Sequence, residues 1–444
     1  MKVKNNQRRL AKTLARSAVI VIVIVACITQ VAKGQTLDND RRRGVEMLDV
    51  IKKDIQKNYY DTSFRGIDLD AHFKTTVEKV KAANSIGEIF GIIVRALMDF
   101  NDSHTGFILP APADRVEQGW ALQMIGDKCY VVAVKPGSDA EGKNLRPGDE
   151  ILLLGDNAPT RDVLWKLWYF LRYQPGISMV VRGAGGESRA LTIMAKIRKG
   201  KAVYNVGSTT GADRMDLIRQ WETEARLFRH RYVETDQLLI WRMPSFDGDK
   251  VMDDMMDKAK NREALILDLR GNPGGLESAL LRLTGYLFDH DIKLGDIKSR
   301  TETKPLIAKT RGVNRVFKGK LVVMVDSESG SSAEILARIV QLEKRGTVIG
   351  DRTSGSVMRA LEFEHKSGLD RIFYYGVSVT IADLILPDGK TLERVGVTPD
   401  ELLLPLPADL AAGRDTVLSR AANLVGFKLE PEKAGSFFPL EWRP

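Results

Sequence analysis

Hydrophobic positions along this chain change period several times, and each change marks a different kind of element. From Gln237 onward, short apolar runs alternate with stretches of helical spacing. Leu238–Arg242, Ala264–Leu269, Leu321–Val325 and Thr347–Ile349 read as strands, and Leu321–Val325 is short and rich in β-branched residues, as a strand covered on both faces is. Val251–Lys260, Leu276–Phe288 and Ala333–Gln341 repeat apolar residues at helical spacing. Such alternation predicts an α/β core with crossover helices. Residues from about 38 to 100 are helical in pattern, as in Val45–Ile51 and Ile86–Met98, and the Pro-rich Leu109–Pro112 marks a boundary. A helical stretch is also expected around Asp213–Phe228. The tail from Leu429 to Pro444 lacks periodicity but holds Phe437, Phe438, Leu440 and Trp442, which predicts docking on the body or on another subunit.

The amino terminus changes the picture of where such a protein works. Residues 2–16 carry six basic side chains and no acid, Ser17–Ile28 is apolar, and small residues follow at Ala32 and Gly34. This is the pattern of a secretory signal peptide, with an apolar run short for a transmembrane helix. Two cleavage readings stand: Ala32-Lys-Gly34 suits ordinary signal peptidase, and Ile24-Val-Ala-Cys27 suits a lipobox that would make Cys27 a lipid tether. An uncleaved anchor is a third. The net charge of +9 includes seven cations within residues 1–34, so the exported chain carries about +2. No basic stripe with interleaved aromatics remains, and nucleic-acid binding is excluded. Beyond the leader, Cys129 has no intrachain partner, so stability must come from packed cores.

Two turns carry candidate chemistry. The strand at Leu321–Val325 runs into Ser327–Ser332 and then a helix, so Ser331 stands where a strand hands over to a helix. Free amides of a first helical turn can stabilise an oxyanion there. Ser331-Ser-Ala-Glu334 is equally a capping box, in which the hydroxyl only caps the helix. Upstream, Ala264–Leu269 ends in Arg270-Gly-Asn-Pro-Gly-Gly275, where glycines let backbone N–H groups approach a carbonyl.

Together, in this order, the two segments resemble the S41 family of serine peptidases, the carboxyl-terminal processing and tricorn-core peptidases. The stretch from Val131 through Asp149 to Ile151 is similar to a PDZ domain, the peptide-binding module such peptidases carry before the core. The resemblance implies a ClpP/crotonase-like catalytic core with an N-terminal helical bundle and an inserted PDZ-like β-rich domain. Expected boundaries are a signal peptide at 1–34, a helical region at 38–110, the PDZ-like domain at 113–197, the catalytic core at 201–428 and a tail at 429–444. Gly119-Trp120-Ala121-Leu122 lies where a carboxylate-binding loop would be.

Serine needs a base within hydrogen-bond reach. The processing type takes lysine from a motif like G-E-x-T-x-G-K, but here Gly350-Asp-Arg-Thr-Ser-Gly-Ser356 puts Ser356 at that position. The tricorn type implies a histidine preceded by serine, helped by a downstream glutamate. Ser103-His104 and Glu393 match, with Glu393 equally readable as part of a turn before a strand. The expected site is therefore Ser331 as nucleophile, His104 as base, Ser103 and Glu393 orienting it, and backbone N–H groups of Ser332 and of Gly274 or Gly275 as oxyanion donors. His72, His230, His290 and His365 have no companions at metal-ligand spacing, so no metal or cofactor is expected. The function implied is an exported serine endopeptidase acting on envelope proteins or peptides, with oligomers compatible. The rival is an inactive S41-like protein that binds peptides through its PDZ domain. A third reading, acyl or lipophilic ligand binding by the crotonase-like core, has the peptidase motifs against it.

Overall fold

The computed structural model describes residues 37–110, 115–199, 228–367 and 373–442. The leader, including Cys27, and the helix expected at Asp213–Phe228 therefore fall outside them, apart from Phe228 itself. The chain divides into two units, the first formed by residues up to Asn101 with Thr105–Pro110 and Ala360–Val379, the second by the remainder.

In the first unit three helices, residues 37–58, Leu69–Ala82 and Ile86–Met98, enclose Met47, Leu48, Ile51, Phe73, Ile89 and Ile93. The caps explain the boundaries. Asp68 accepts from Ala71 N–H, and Ser85 accepts from Glu88 N–H while the Glu88 carboxylate accepts from Asn84 N–H. β1 (Gly106–Ile108) pairs antiparallel with residues 376–378.

The second unit holds two sheets that position the site. β2 (Arg115–Glu117) is followed by β3 (Trp120–Ile125), β4 (Lys128–Val134), β5 (Glu150–Leu154), β6 (Gly176–Arg182), β7 (Ser188–Met194) and β8 (Lys196–Arg198). β3 to β7 form an antiparallel sheet in sequence order, with β3 at one edge, and β2 pairs with β8. The helix Arg161–Leu171 packs Leu164, Leu167, Trp168 and Leu171 against the core of Trp120, Val131, Ile151 and Ile177. Buried Cys129 is a free thiol pushed up to about 12 by burial, and so is chemically inert.

The other sheet begins with β9 (Arg231–Glu234) and β10 (Leu238–Arg242), then takes β11 (Ala264–Asp268). After an antiparallel pair, β12 (Ile292–Ser299) and β13 (Thr303–Ala308), come β14 (Lys320–Val325) and β15 (Thr347–Gly350). β16 (Met358–Ser367) and β17 (Phe373–Ile385) precede the short β18 (Glu401–Leu402). The spatial order β18-β15-β14-β11-β10-β9 is parallel except for β9. Side chains alternate across it: Leu265, Leu267, Val323 and Val325 enter one core, Ile266, Val322 and Met324 the other. Helices Asp249–Ala259, Glu277–Leu287 and Ser332–Leu342 cover the first face. Helix Thr416–Val425 covers the second, joined there by Phe437 and Phe438 of the tail. The tail thus docks on its own chain.

The parallel strands agree with the sequence pattern to within a residue or so. The antiparallel β12, β13, β16 and β17 were not expected. Exposed polar residues interrupt β16, so its pattern never reads as a buried run.

Candidate active site

All parallel strands of this sheet end at one rim, and both candidate turns leave from it. Ser331 follows β14 with φ 51° and ψ −117°, a strained setting for a residue with a side chain. Its N–H donates to Ser356 O at 2.9 Å and to Glu334 Oε2 at 3.1 Å, which holds the strain in place. The capping box is only half built. Glu334 N–H goes to the main-chain oxygen of Ser331 at 3.0 Å, and no side-chain cap bond comes from Ser331. Its hydroxyl is left for other work.

Glu334 is fully buried and organises a second turn. It accepts from Thr353 Oγ1 (2.5 Å), Gly355 N–H (2.8 Å), Ser356 N–H (2.8 Å) and Ser354 Oγ (3.3 Å). Ser356, at the position of a processing-type lysine, therefore contributes backbone. The Ser356–Val357 peptide bridges two parts of the site. Its carbonyl accepts from Ser331, and its N–H donates to Glu393 Oε2 at 3.1 Å. Sequence reasoning missed this bridge, because a main-chain contact leaves no residue signature.

From Glu393 the bonds continue. Ser103 N–H and Oγ both donate to its carboxylate at 2.8 Å, and Ser103 Oγ lies 2.7 Å from His104 Nδ1. With its own proton on Glu393, Ser103 Oγ accepts from Nδ1–H, which leaves Nε2 as the acceptor nitrogen. Burial holds the His104 imidazole below its usual pKa, partly opposed by the Asp102 charge, so the neutral base is favoured. Burial pushes Glu393 up, against the bonds it accepts from Ser103 and Val357. Asp102 fixes the loop by accepting from His104 N–H and Thr380 Oγ1. Among the described residues no hydrogen bond joins His104 to Ser331.

The glycine turn lies against the serine. A Cβ on Gly274 would come within 2.6 Å of Ser331 Cβ, and Gly274 has φ +105°, so only glycine fits. As an oxyanion donor, however, Gly274 must be corrected. Its N–H is already given to Asn272 Oδ1 at 2.8 Å. The N–H groups of Gly275 and Ser332 have no such partner among the described residues, and Ser332 Oγ bonds Gly275 O at 3.3 Å.

The expected carboxylate loop also changes. Gly119 makes the turn at φ +75°, but Trp120, Ala121 and Leu122 belong to β3 and pair with β4; Trp120 is a core residue. The edge of β3 that faces away from β4 is what this region presents. The same domain grips the approach to Ser331. Gln123 donates to Asp326 at 2.6 Å, Ser327 Oγ donates to Met124 O at 2.6 Å, and Arg161 and Gly126 N–H hold Asp351. Among the described residues no cluster of three or more His, Cys, Asp or Glu is placed to hold a metal. No helix there is long and apolar enough to cross a membrane.

A strained serine at a strand-to-helix turn, free amides beside it and an imidazole oriented through Nδ1 define the equipment of a serine hydrolase. Residues 238–403 match Peptidase family S41, so that part of the chain is similar to the core of the family's serine-type peptidases. It is 24% identical over 387 residues to a chloroplastic C-terminal processing peptidase of Tetradesmus obliquus, covering 80% of this chain and 77% of the relative. It is 26% identical over 337 residues to a tail-specific protease of Haemophilus influenzae, covering 70% of this chain and 45% of that one. Mature CPAF shares the fold at TM-score 0.58 and 16% identity, over 84% of this chain and 94% of that one.

Proposed function

We propose that this chain is an exported serine endopeptidase in which Ser331 is the nucleophile and His104 the base. The Glu393–Ser103–His104 chain of bonds carries the reading, because it leaves Nε2 unprotonated on a neutral ring. Ser331 Oγ gives its proton to Nε2 as it bonds to the scissile carbonyl carbon. The N–H groups of Ser332 and Gly275 receive the oxyanion. Collapse breaks the C–N bond, and the amine leaves with the proton from His104. Water then loses a proton to Nε2 and attacks the ester carbon, and as the C–O bond breaks Nε2 returns that proton to Ser331 Oγ. Ser103 and Glu393 are positioning residues. The edge of β3, beginning at Gly119-Trp120-Ala121-Leu122, takes a substrate's carboxyl-terminal segment as an added strand. The leader sequence supports envelope proteins or peptides as substrates.

The test is cleavage of a denatured protein by the exported form beside Ser331→Ala and His104→Ala. Each variant is expected to lose about 10⁴-fold or more in kcat with its fold intact. A dead Ser331→Ala with an active His104→Ala removes His104 as base. One observation favours the inactive peptide-binding alternative: the missing His104–Ser331 bond. Catalytic bonds that tighten only with substrate explain it equally, and a parent that cleaves nothing across a broad panel makes the binding protein the better reading.

A further inference from the structure

Four arginines converge on the same rim, beside the glycine turn and outside the bonds described above. Arg242 ends β10, Arg270 and Gly271 follow β11, and Arg229 and Arg231 lie at the start of β9. With Glu441 of the tail they line a cavity of about 170 Å³. Three of the arginines carry structural bonds, Arg231 by donating to Pro439 O at 2.8 Å. Arg270 binds Asp268 and Asp415, and Arg242 binds Asp268 at 2.9 Å while also facing Glu328. The ion pairs of Arg229 and Arg231 are both with Glu441, at 3.2 and 3.7 Å. Burial, and then the like charge of Arg242, hold Arg231 below the usual guanidinium pKa, against the opposing charge of Glu441.

Glu441, itself a quarter exposed, is held in part by an exposed ion pair. The Arg229 side chain is 59% exposed, and pairs of that kind contribute about 0–1 kcal/mol. The pocket is also close to the chemistry. Gly271 lines it and Gly274 touches Ser331, three residues on, a span of at most about 10 Å. An extended peptide advances about 3.3 Å per residue.

We propose that this pocket is a subsite for a peptide carboxylate, about two to four residues from the scissile bond, and that Glu441 fills it until substrate displaces it. The carboxylate is an acidic side chain or a chain terminus. The assignment to a substrate rests on the peptidase reading, but the pocket's chemistry does not.

Binding is therefore measured apart from cleavage, with full-length Ser331→Ala protein and fluorescein-labelled peptides of one neutral sequence. One peptide carries an internal Glu and an amidated end, one a free carboxyl end, and one neither. At least one of the first two is expected to bind about tenfold more tightly than the third, and which of them does identifies the source. Adding Arg229→Gln and Arg231→Gln should abolish the preference, while Glu441→Gln should strengthen carboxylate binding several-fold. A preference that survives the double arginine change, or binding unmoved by Glu441→Gln, overturns the proposal. In the active parent the same preference should appear in KM with kcat unchanged. Preferential binding without any cleavage refutes the peptidase reading alone; cleavage without preference refutes the pocket alone.

Discussion

Asp268 and Glu334 are both fully buried at the rim of the parallel sheet, yet they are neutralised in opposite ways. Asp268 closes β11 between two guanidinium groups, and Arg270 reaches on to Asp415. The arginines hold its carboxyl far below the usual range despite complete burial. Glu334 has no ion-pair partner among the described residues. Its bonds come from hydroxyl and backbone N–H groups of Ser331 and Thr353–Ser356, and burial wins, pushing the carboxyl up. Ion pairing anchors side chains of distant segments to each other. A ring of neutral donors shapes backbone instead, and here the shaped backbone is the serine turn and the peptide that leads to Glu393. The price is a carboxylate with less to keep it ionised.

The largest expected break in this comparison is Asp268→Asn. It leaves Arg242 without its carboxylate partner and Arg270 with Asp415 alone, around a position that is itself fully buried. Removing one member of a buried pair costs about 3–5 kcal/mol, and the remaining Asp415 bond favours the lower end. Urea unfolding should show that loss as a lower midpoint at unchanged m-value. The kcat per folded molecule should fall little, because Asp268 bonds Arg242, Arg270 and the Arg270 N–H but no part of the serine turn. A stable variant with lost activity would merge the two roles that the comparison separates.

How far the sequence reached follows the same division. The strands around Asp268 were legible because buried parallel strands are continuous apolar runs, and Ser331 was legible because a small polar turn interrupts one such run before a helix. Ser103, His104 and Glu393 came from resemblance, and the structure joins those three by direct bonds. What stayed hidden was set by main-chain partners. Nothing in Arg270-Gly-Asn-Pro-Gly-Gly275 says that Asn272 takes the Gly274 N–H, so two glycines looked equally available. The Ser356–Val357 bridge is likewise invisible. Glu334 was seen as a capping residue, and its three-residue spacing from Ser331 gave no hint of bonds 19 to 22 positions away. Trp120 was placed in a carboxylate loop by its position in the PDZ resemblance, and nothing in that position reveals its core partners.

Glu334→Gln sharpens the contrast at a smaller energy. The amide keeps one acceptor oxygen but turns an NH2 group toward donors, leaving one or two buried N–H or hydroxyl groups unsatisfied. Each costs about 1–3 kcal/mol. Because those groups hold the serine turn, kcat should drop by about 10- to 100-fold more than any loss of folded protein explains, with KM little changed. A variant destabilised like Asp268→Asn but with full kcat would show that Glu334 is only a packing element.

The smallest effect is the most discriminating, since it depends on sign. An acid whose folded pKa is raised binds more protons folded than unfolded, between its ordinary value and its raised one. Stability therefore falls as pH climbs through that window. For Glu334 the window opens near pH 4.3, the ordinary glutamate value of about 4.3. Asp268 is the reverse: its folded pKa is depressed, so its stabilisation is complete above about 3.9 and is lost only as pH falls further. From pH 4.5 upward, the stability difference between parent and Asp268→Asn should stay flat. The difference between parent and Glu334→Gln should shrink with rising pH until the raised value is passed. The slope cannot exceed about 1.4 kcal/mol per pH unit for one proton. Urea midpoints across that range, taken on all three proteins, cancel the contributions of every other titrating group. A flat Glu334 difference would mean that its ring of donors keeps it ionised as firmly as two arginines keep Asp268, and the distinction between the two carboxylates would fall.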